Sequence, residues 1–387
     1  MLSALQCTLA ILTYNFSFSE CNKSYALQLL CESQSLSKLT KKPKLTKKQN
    51  RINIEPNKIL RKDKMDWKNT FQPLAHTQNE SLPELMMTHV SDWSAITMIG
   101  DDKKSYLQGQ VTCDVVTLPN DESTLGAHCD AKGKVWSIFR LFHHNGGYAL
   151  MQPKSAIEVE LVEIKKYAVF SKVDIEQTSD VVIGVMGASA DQYIDSISES
   201  QGKVRVISGG TAVQVSDNRW ALLVTQEATE ALVSSSTAEK VSEALWQYHE
   251  ILDAQPNLSK AEQNEHIPQA LNLQAIGGIS FSKGCYTGQE TVARAKYRGM
   301  NKREMRIVSG TSSDVLSLEN TIELERSVGE NWRGAGRLLN VYQFADNQAI
   351  GLMVLPNNLD DDVQLRLTAQ PEQIWNILPL PYSLDEE

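Results

Sequence analysis

The sequence predicts an α+β fold that ends in a small antiparallel β-barrel. Between residues 94 and 253, short strands and helices mix without the regular strand–helix–strand repeat of parallel sheets. After residue 300, Gly, Asn, Asp and Pro separate six short apolar segments with no helical pattern between them, which is typical of a small barrel or sandwich. The predicted strands are residues 304–308, 320–324, 335–343, 348–355, 363–368 and 373–378. We therefore expect a body over residues 65–300 and a barrel over residues 301–387.

The elements of the body can be placed in order from turn, cap and periodicity signals. Asn145-Gly146-Gly147 between two apolar runs predicts a β-hairpin. Asp101 or Asp102 can cap the first helix and Ser155 the second. The predicted elements are strand 94–100, a helix ending at 109, strands 134–142 and 148–151, helix 155–167, strand 181–186, helix 188–198, strand 219–225 and helix 237–253.

The first 64 residues differ in composition from the rest of the chain. They contain no glycine and carry 12 Lys or Arg against 4 Asp or Glu, whereas the remainder carries 26 against 43. Three interpretations are open: a start upstream of the natural one, a disordered basic tail that contacts nucleic acid or lipid, and an organelle transit peptide. We prefer the first, because transit peptides are rich in arginine and this segment has only Arg51 and Arg61. The segment is expected to carry no function.

Composition also limits the classes of function. No apolar run reaches 18 residues and no basic residue precedes the mildly apolar stretch 2–18, so we expect a cytoplasmic protein without a membrane span. The six cysteines form no CxxC pair, and adjacent residues such as His143 and His144 point to opposite faces of a strand. We therefore assign no metal site. The acidic body, with a net charge of −17 beyond residue 64, disfavours non-specific nucleic-acid binding.

Trp246 stands out within the predicted helix 237–253. Six apolar residues recur at helical spacing and form one stripe: Val241, Ala244, Leu245, Tyr248, Ile251 and Leu252. At 100° per residue, Trp246 lies about 140° from Val241 and therefore off this stripe. Two interpretations are open: the indole packs on a neighbouring domain, or it lines a ligand pocket.

The run Lys283-Gly284-Cys285-Tyr286-Thr287-Gly288-Gln289-Glu290 carries the clearest chemical signal. Thr287 and Glu290 have the spacing of a capping box, which predicts a helix over 288–297 with Cys285 just before its N-terminus. The helix dipole and Lys283 would lower the pKa of a thiol at that place. A buried structural cysteine is equally consistent with the spacing alone.

This run, with its continuation TVARAKYRGMNKR, resembles the signature of the YgfZ family of folate-binding proteins. The similarity extends over most of residues 66–387 and leaves out the N-terminal segment. The other similar stretches are YLQGQVTCDV at 106–115, AHCDAKGKVWS at 127–137, KKYAVFSKV at 165–173, IPQALNLQAIGGISF at 267–281 and PLPYSL at 379–384.

The resemblance implies a fold like that of the glycine-cleavage T-protein, with pseudo-repeated lobes around a central opening. It implies a tetrahydrofolate-type ligand, with Trp93 and Trp246 as the folate-associated residues. Aromatic faces suit a pterin and an aminobenzoate, and basic side chains suit the glutamate tail. The candidates for the tail are Lys132, Lys134 and Arg140. The resemblance further implies that Cys285 is functional, together with Lys283 and the motif residues Gly284, Tyr286, Gly288, Gln289 and Glu290.

The implied function is an accessory role in tRNA modification and in the maintenance of iron–sulfur enzymes, including those that thiolate tRNA. A lone cysteine cannot hold an iron–sulfur cluster, which needs four protein ligands, so no bound cluster is expected. The chain is expected to be a monomer.

Two alternatives are kept open. A folate-dependent aminomethyltransferase would need a carboxylate after the turn at Gly133, where the chain reads Lys-Val-Trp-Ser. A direct tRNA-binding module could use the basic residues Arg294, Lys296, Arg298, Lys302, Arg303 and Arg306, although such a cluster also suits a solvated helix end.

Overall fold

The computed structural model describes residues 66–360 and 362–384, so the expectations for residues 1–64 lie outside the described residues. The body contains eleven strands: β1 (Met86–His89), β2 (Trp93–Ile99), β3 (Thr124–Cys129), β4 (Val135–His144), β5 (Gly147–Pro153), β6 (Asp174–Gln177), β7 (Val181–Met186), β8 (Val204–Ile207), β9 (Gly210–Ser216), β10 (Arg219–Val224) and β11 (Glu239–Lys240). The described helices are α1 (Lys103–Gln108), α2 (Lys154–Lys165), α3 (Ala190–Ile197), α4 (Gln226–Ser235), α5 (Ala244–Leu252) and α6 (Gln289–Tyr297). This confirms the α+β fold class.

The body strands form two sheets, each of which is the centre of one lobe. The first sheet has the order β3-β4-β5-β2-β6 and carries α2 on one face. The second has the order β11-β1-β7-β10-β9-β8 and carries α3 and α4. Neighbouring strands are antiparallel except for β1 and β11, which run parallel. Each sheet thus buries one face under its own helices and turns the other towards a shared core.

The shared core explains why strands β7 and β10 are apolar on both faces. All six residues of each strand are buried. Val182 and Leu223 belong to the shared core, whereas Ile183 and Leu222 pack into the core of their own lobe. A strand with apolar neighbours on both sides needs a continuous apolar run rather than an alternating one.

The predicted hairpin is confirmed, and two predicted helix caps are wrong. The turn between β4 and β5 has Asn145 and Gly146 at φ values of 47° and 76°, as a two-residue primed turn requires. Helix α2 begins at Lys154 with Pro153 before it, rather than being capped by Ser155. Asp102 precedes α1, but its carboxylate accepts from the Lys172 amide instead of capping the helix.

The helix predicted over residues 237–253 begins later than expected. Glu239 and Lys240 form strand β11, which pairs in parallel with Met86 and Met87. The helix starts at Ala244, so Val241 lies outside it and cannot define its apolar stripe. The local sequence favours helix there, but the tertiary pairing with β1 decides the conformation.

The six strands predicted after residue 300 are all present and close into a barrel. They are β12 (Arg303–Thr311), β13 (Glu323–Val328), β14 (Asn331–Gln343), β15 (Gln348–Pro356), β16 (Leu365–Leu367) and β17 (Gln370–Leu378), in the order β12-β15-β14-β13-β16-β17. The second strand was predicted over 320–324 and lies a few residues later. Trp375 fills the interior and is fully buried. Across residues 66–384, as far as the structure describes them, no helix combines the length and apolarity needed to span a bilayer.

Candidate functional site

Trp93 and Trp246 line the same narrow gap between the two lobes, which we call the waist. Trp93 opens strand β2 of the first sheet, and Trp246 projects from α5. Arg140 of β4 and Val215 of β9 line the waist from the two sheets. The free space is only about 10 Å³, roughly that of one water molecule. The structure therefore brings two of the predicted residues together in a nearly closed passage.

The waist joins two larger chambers. The first, which we call the arginine chamber, has a volume of about 480 Å³ and shares Arg140 and Gln255 with the waist. The second, which we call the barrel chamber, has a volume of about 560 Å³ and shares Trp93, Glu250 and Asn257 with the waist. Both volumes lie in the range of small-molecule sites, which span roughly 300–1,000 Å³.

Trp246 is firmly packed as well as lining the waist. Its side chain is only 1% exposed, and the Arg219 guanidinium lies 4.7 Å from the ring centroid in a cation–π contact. A Cβ at Gly184 would lie 2.5 Å from the indole, so glycine is needed where β7 passes the ring. The indole N–H donates to Glu250 Oε1 at 3.0 Å. The Trp246 side chain therefore packs against its neighbours and also lines a pocket, two roles that the sequence analysis treats as alternatives.

Glu250 is a buried carboxyl group that the sequence interpretation did not single out. It lies one helical turn after Trp246, and its second oxygen accepts from Asn257 Nδ2 at 2.5 Å. Burial raises the pKa of this carboxyl to about 7, although the nearby Arg219 opposes the shift. The sequence does contain one signal for Glu250: it is a glutamate four residues after a tryptophan on a mostly apolar helix.

Of the three cations proposed for an anionic tail, Arg140 alone lines the waist. Its guanidinium donates to Ser123 Oγ at 3.2 Å and to the Val215 carbonyl at 3.1 Å. Burial lowers the pKa of Arg140 to about 10, and the neighbouring Arg219 adds to the shift. Lys134 instead donates to the Glu265 carbonyl at 2.7 Å, and Lys132 is exposed in the preceding turn.

The loop that contains Cys285 docks on a segment far away in the sequence. Lys283 Nζ donates to the carbonyls of Val111 and Cys113, both at 2.7 Å. Burial lowers the pKa of this ammonium to about 8. The Thr287 amide donates to the Gly109 carbonyl at 3.2 Å. Lys283 thus anchors the loop to the body.

The capping box predicted for α6 is absent. Gly288 occupies the cap position at a φ of 84°, and no side chain caps the helix there. Glu290 instead pairs with Arg294 one turn later at 2.5 Å, and the side-chain Oε1 of Gln289 accepts from the Tyr286 amide at 3.3 Å. Because Gly288 adopts a left-handed conformation, the backbone turns into α6 without a hydrogen bond from the helix to the Thr287 hydroxyl.

Gly288 makes a backbone-to-backbone contact with the turn after β3. A Cβ at Gly288 would lie 2.6 Å from the Asp130 carbonyl oxygen and 3.0 Å from the Cα of Gly133. Gly133 also has a positive φ, of 75°. Three of the stretches quoted above, residues 106–115, 127–137 and 283–290, therefore meet at one place.

Cys285 is exposed at this loop, whereas Cys113 and Cys129 are buried. Burial raises the pKa of both buried thiols, that of Cys113 to about 12. Among the described residues, those that line the waist and its two chambers do not include Cys285. The thiol and the tryptophans thus form two separate regions.

The basic residues near α6 are partly neutralised by neighbours. Arg294 pairs with Glu290, and Arg306 pairs with Glu304. The Lys296 ammonium lies 4.1 Å from the centroid of the Phe281 ring. These contacts favour the interpretation of a solvated helix end over that of a dedicated phosphate-binding face.

Comparison with known proteins agrees with this architecture. Residues 301–370 match the family model of the YgfZ β-barrel domain. The tRNA-modifying protein YgfZ of Aliivibrio fischeri (strain MJ11) is 55% identical over 318 residues, which are 82% of this chain and 98% of that protein. The protein of the same name from Escherichia coli O157:H7 is 41% identical over 325 residues, again 82% and 98%.

A solved structure extends the comparison to the fold. The glycine cleavage system aminomethyltransferase T from Bartonella henselae aligns with a TM-score of 0.57 over 81% of this chain and 88% of that chain. The sequence identity is 9%, so this likeness bears on the fold alone. The T-protein-like fold expected from the sequence is thereby confirmed. The identity to the YgfZ proteins, 41–55% over 98% of their length, shows that the chain belongs to the YgfZ family.

Proposed function

We propose that the protein binds a tetrahydrofolate-type ligand across the waist and acts as an accessory protein in tRNA modification. The observation that carries the proposal is the meeting of Trp93, Trp246 and Arg140 at one passage between two chambers. These residues lie on separate elements of both lobes, so their convergence is a property of the fold. The modification role is taken from the name of the relatives, which are 40–55% identical to this chain.

The chemistry of the passage suits the three parts of a folate. The aminobenzoate is flat and apolar and is placed beside the tryptophans. The glutamate tail is anionic and is placed in the arginine chamber, where Arg140 can donate two parallel hydrogen bonds to a carboxylate. The pterin is placed in the barrel chamber. This orientation makes Arg140, rather than Lys132 or Lys134, the partner of the tail.

Binding in this mode requires the waist to widen, because a gap of about 10 Å³ does not admit an aromatic ring. The segment Gln255–Asn257 lines the waist directly after Ala254, whose φ of 44° is unusual for a residue other than glycine. We propose that Gln255 and Pro256 move when the ligand enters, while Asn257 keeps its hydrogen bond to Glu250. Such a closed site would hold its ligand away from water.

Cys285 is proposed to serve a second, separate step with a partner protein. Its thiol is exposed on the anchored loop and lies outside the lining of the chambers, so a macromolecule could reach it. A redox or sulfur-related role in the maintenance of iron–sulfur enzymes, including tRNA-thiolating ones, is consistent with that position. We propose that the protein acts in this way as a cytoplasmic monomer.

An aminomethyltransferase activity is the less favoured alternative. The strand after Gly133 carries no carboxylate, and both Val135 and Ser137 are fully buried. A general acid or base would have to come from elsewhere in the site.

The experiment is a titration of the full chain with tetrahydrofolate under reducing conditions, followed by tryptophan fluorescence. Trp93→Ala and Trp246→Phe test the waist, and the second change keeps an aromatic ring because Trp246 is buried. Trp332→Phe is the matched control, since Trp332 lies on the barrel hairpin away from the waist. Cys285→Ala tests the separation of the two regions.

We expect saturable binding that Trp93→Ala and Trp246→Phe weaken at least tenfold, a loss of about 1.4 kcal/mol. Trp332→Phe and Cys285→Ala should bind as the wild type does. Absence of saturable binding to the wild-type chain would refute the folate proposal. Weakening by Cys285→Ala to the same degree would refute the separation of the two regions.

A further inference from the structure

Glu250 lies where the waist opens into the barrel chamber and lines both. Its residue exposure is 2%, so the carboxyl group is almost completely removed from water in the absence of a ligand. One oxygen accepts from the Trp246 indole and the other from the Asn257 amide. An ionised carboxylate has about four acceptor positions, so about two remain after these bonds are made.

The charges around Glu250 are mixed and leave it poised between its two forms. Arg219 of β10 and Arg140 of β4 favour the carboxylate, whereas Asp253 opposes it. Asp92 and Lys154 line the same chamber. Asn257 and Trp246 each donate one hydrogen bond and hold the side chain in place. The carboxyl group is thus fixed in position but not committed to a permanent ion pair.

We propose that Glu250 recognises the bound heterocycle through two adjacent N–H groups, as a 2-amino-4-oxo-pyrimidine ring presents them. This inference rests on the proposed folate function and assigns the pterin to the barrel chamber. An ionised carboxylate can accept two parallel hydrogen bonds from such an edge, and charge-assisted bonds of this kind are the strong ones. Glu250 is therefore a specificity-determining residue, whereas Arg140 acts on the opposite end of the ligand.

The proposal predicts that binding depends on pH. Burial raises the pKa of free Glu250 to about 7, so the group is partly protonated near neutral pH. Two ligand donors favour the ionised form, so the bound pKa is lower than the free one. Affinity should therefore rise as the pH increases from 6 to 8, by up to about tenfold per pH unit below the free pKa. His249 does not interfere, because its pKa is lowered to about 4 and it stays neutral across this range.

Two fragments of the ligand separate the contributions. 6-Methyltetrahydropterin carries the donor edge without the tail, and p-aminobenzoylglutamate carries the tail without the donor edge. Both are titrated by calorimetry into the full-length chain and into its Glu250→Gln and Arg140→Gln variants. Glu250→Gln keeps the shape of the side chain, and Arg140→Gln is the matched control at the other end of the site.

We expect Glu250→Gln to weaken the pterin fragment about tenfold to a hundredfold, the size of a lost charged hydrogen bond, and to abolish its pH dependence. The same variant should bind p-aminobenzoylglutamate within about twofold of the wild type. Arg140→Gln should show the reverse pattern.

Three results would overturn the inference. Equal weakening of both fragments by Glu250→Gln would make the residue a general packing element. A wild-type pterin affinity that stays constant from pH 6 to 8 would show that binding does not depend on a carboxyl group with a pKa near 7, and this series needs no substitution if the variant does not fold. Failure of the wild type to bind either fragment or tetrahydrofolate would overturn both the inference and the proposed function, whereas pH-independent folate binding would overturn the inference alone.

Discussion

Replacing Gly288 by alanine should destabilise the protein through two separable effects. The first is conformational, because a φ of 84° lies in the left-handed region, which costs an L-residue roughly 1–2 kcal/mol. The second is steric, because the new Cβ would lie 2.6 Å from the Asp130 carbonyl oxygen, a backbone atom that cannot rotate away. Overpacking of this kind costs about 1–3 kcal/mol. Together they predict a loss of about 2–5 kcal/mol.

Two other glycines of the chain provide matched controls for these effects. Gly277 has a φ of 76° but no atom within 4 Å of its Cβ position, so Gly277→Ala isolates the conformational part. Gly284 lies in the same loop as Gly288 and has neither a positive φ nor a close neighbour. All three alanines stiffen the unfolded chain alike, by about 0.4–1 kcal/mol, so this contribution cancels in the comparison.

The measurement is the free energy of unfolding of each variant from urea titrations at one pH. The expected order of the losses is Gly288→Ala largest, Gly277→Ala intermediate at about 1–2 kcal/mol, and Gly284→Ala within about 0.5 kcal/mol of the wild type. If Gly288→Ala and Gly277→Ala lose the same amount, the backbone contact with Asp130 contributes nothing and the steric argument is wrong.

Two further predictions concern buried charges. Glu160 Oε2 lies 3.0 Å from His128 Nδ1 in the first lobe. Although burial opposes it, Glu160 raises the pKa of His128 in the folded protein. The stability that this pair contributes is therefore fully present below pH 6.5 and is lost as the pH rises through the folded pKa of His128. Glu160→Gln should cost about 3–5 kcal/mol at pH 6 and less at pH 9, and an equal cost in urea titrations at both pH values would contradict the assignment. Lys283→Met removes two charged hydrogen bonds and should cost about 1.5–3 kcal/mol at pH 7. Because the folded pKa of Lys283 is lowered to about 8, the unfolded chain binds more protons between pH 8 and 10.5, and wild-type stability should rise over that interval relative to Lys283→Met. Parallel pH profiles for the two proteins would show that Lys283 is not desolvated.

The barrel was predictable because its turns are encoded locally. Glycine, asparagine, aspartate and proline mark the ends of its strands, and the hairpin at Asn145 and Gly146 is specified in the same way. Strand β11 could not be predicted, since Glu239 and Lys240 adopt strand geometry only through pairing with β1. The cap at Gly288 was missed for a similar reason: the left-handed turn is imposed by contact with residues 130–133.

The candidate site shows the same division between local and long-range information. Trp246 was singled out by its angle from Val241, yet Val241 lies outside the helix, so that argument was wrong although the residue does line the waist. Glu250 was missed because a glutamate on a helix is ordinarily solvated. Its burial depends in part on the packing of α5 against the barrel strands β14 and β15, which no local pattern of the sequence records.

The contact between Gly133 and Gly288 limits which substitutions these two positions can accept during evolution. A Cβ at Gly288 would lie 3.0 Å from the Cα of Gly133, and a Cβ at Gly133 would lie 3.1 Å from the Gly288 carbonyl oxygen and 2.7 Å from the Cβ of Thr291. Lys283 joins the same arrangement through carbonyl groups 172 and 170 residues earlier in the chain. Substitutions at such mutually dependent positions are not independent in their effects. A lineage that has replaced either glycine should therefore also have changed what faces it, which is Thr291 for Gly133 and the turn at Asp130 for Gly288.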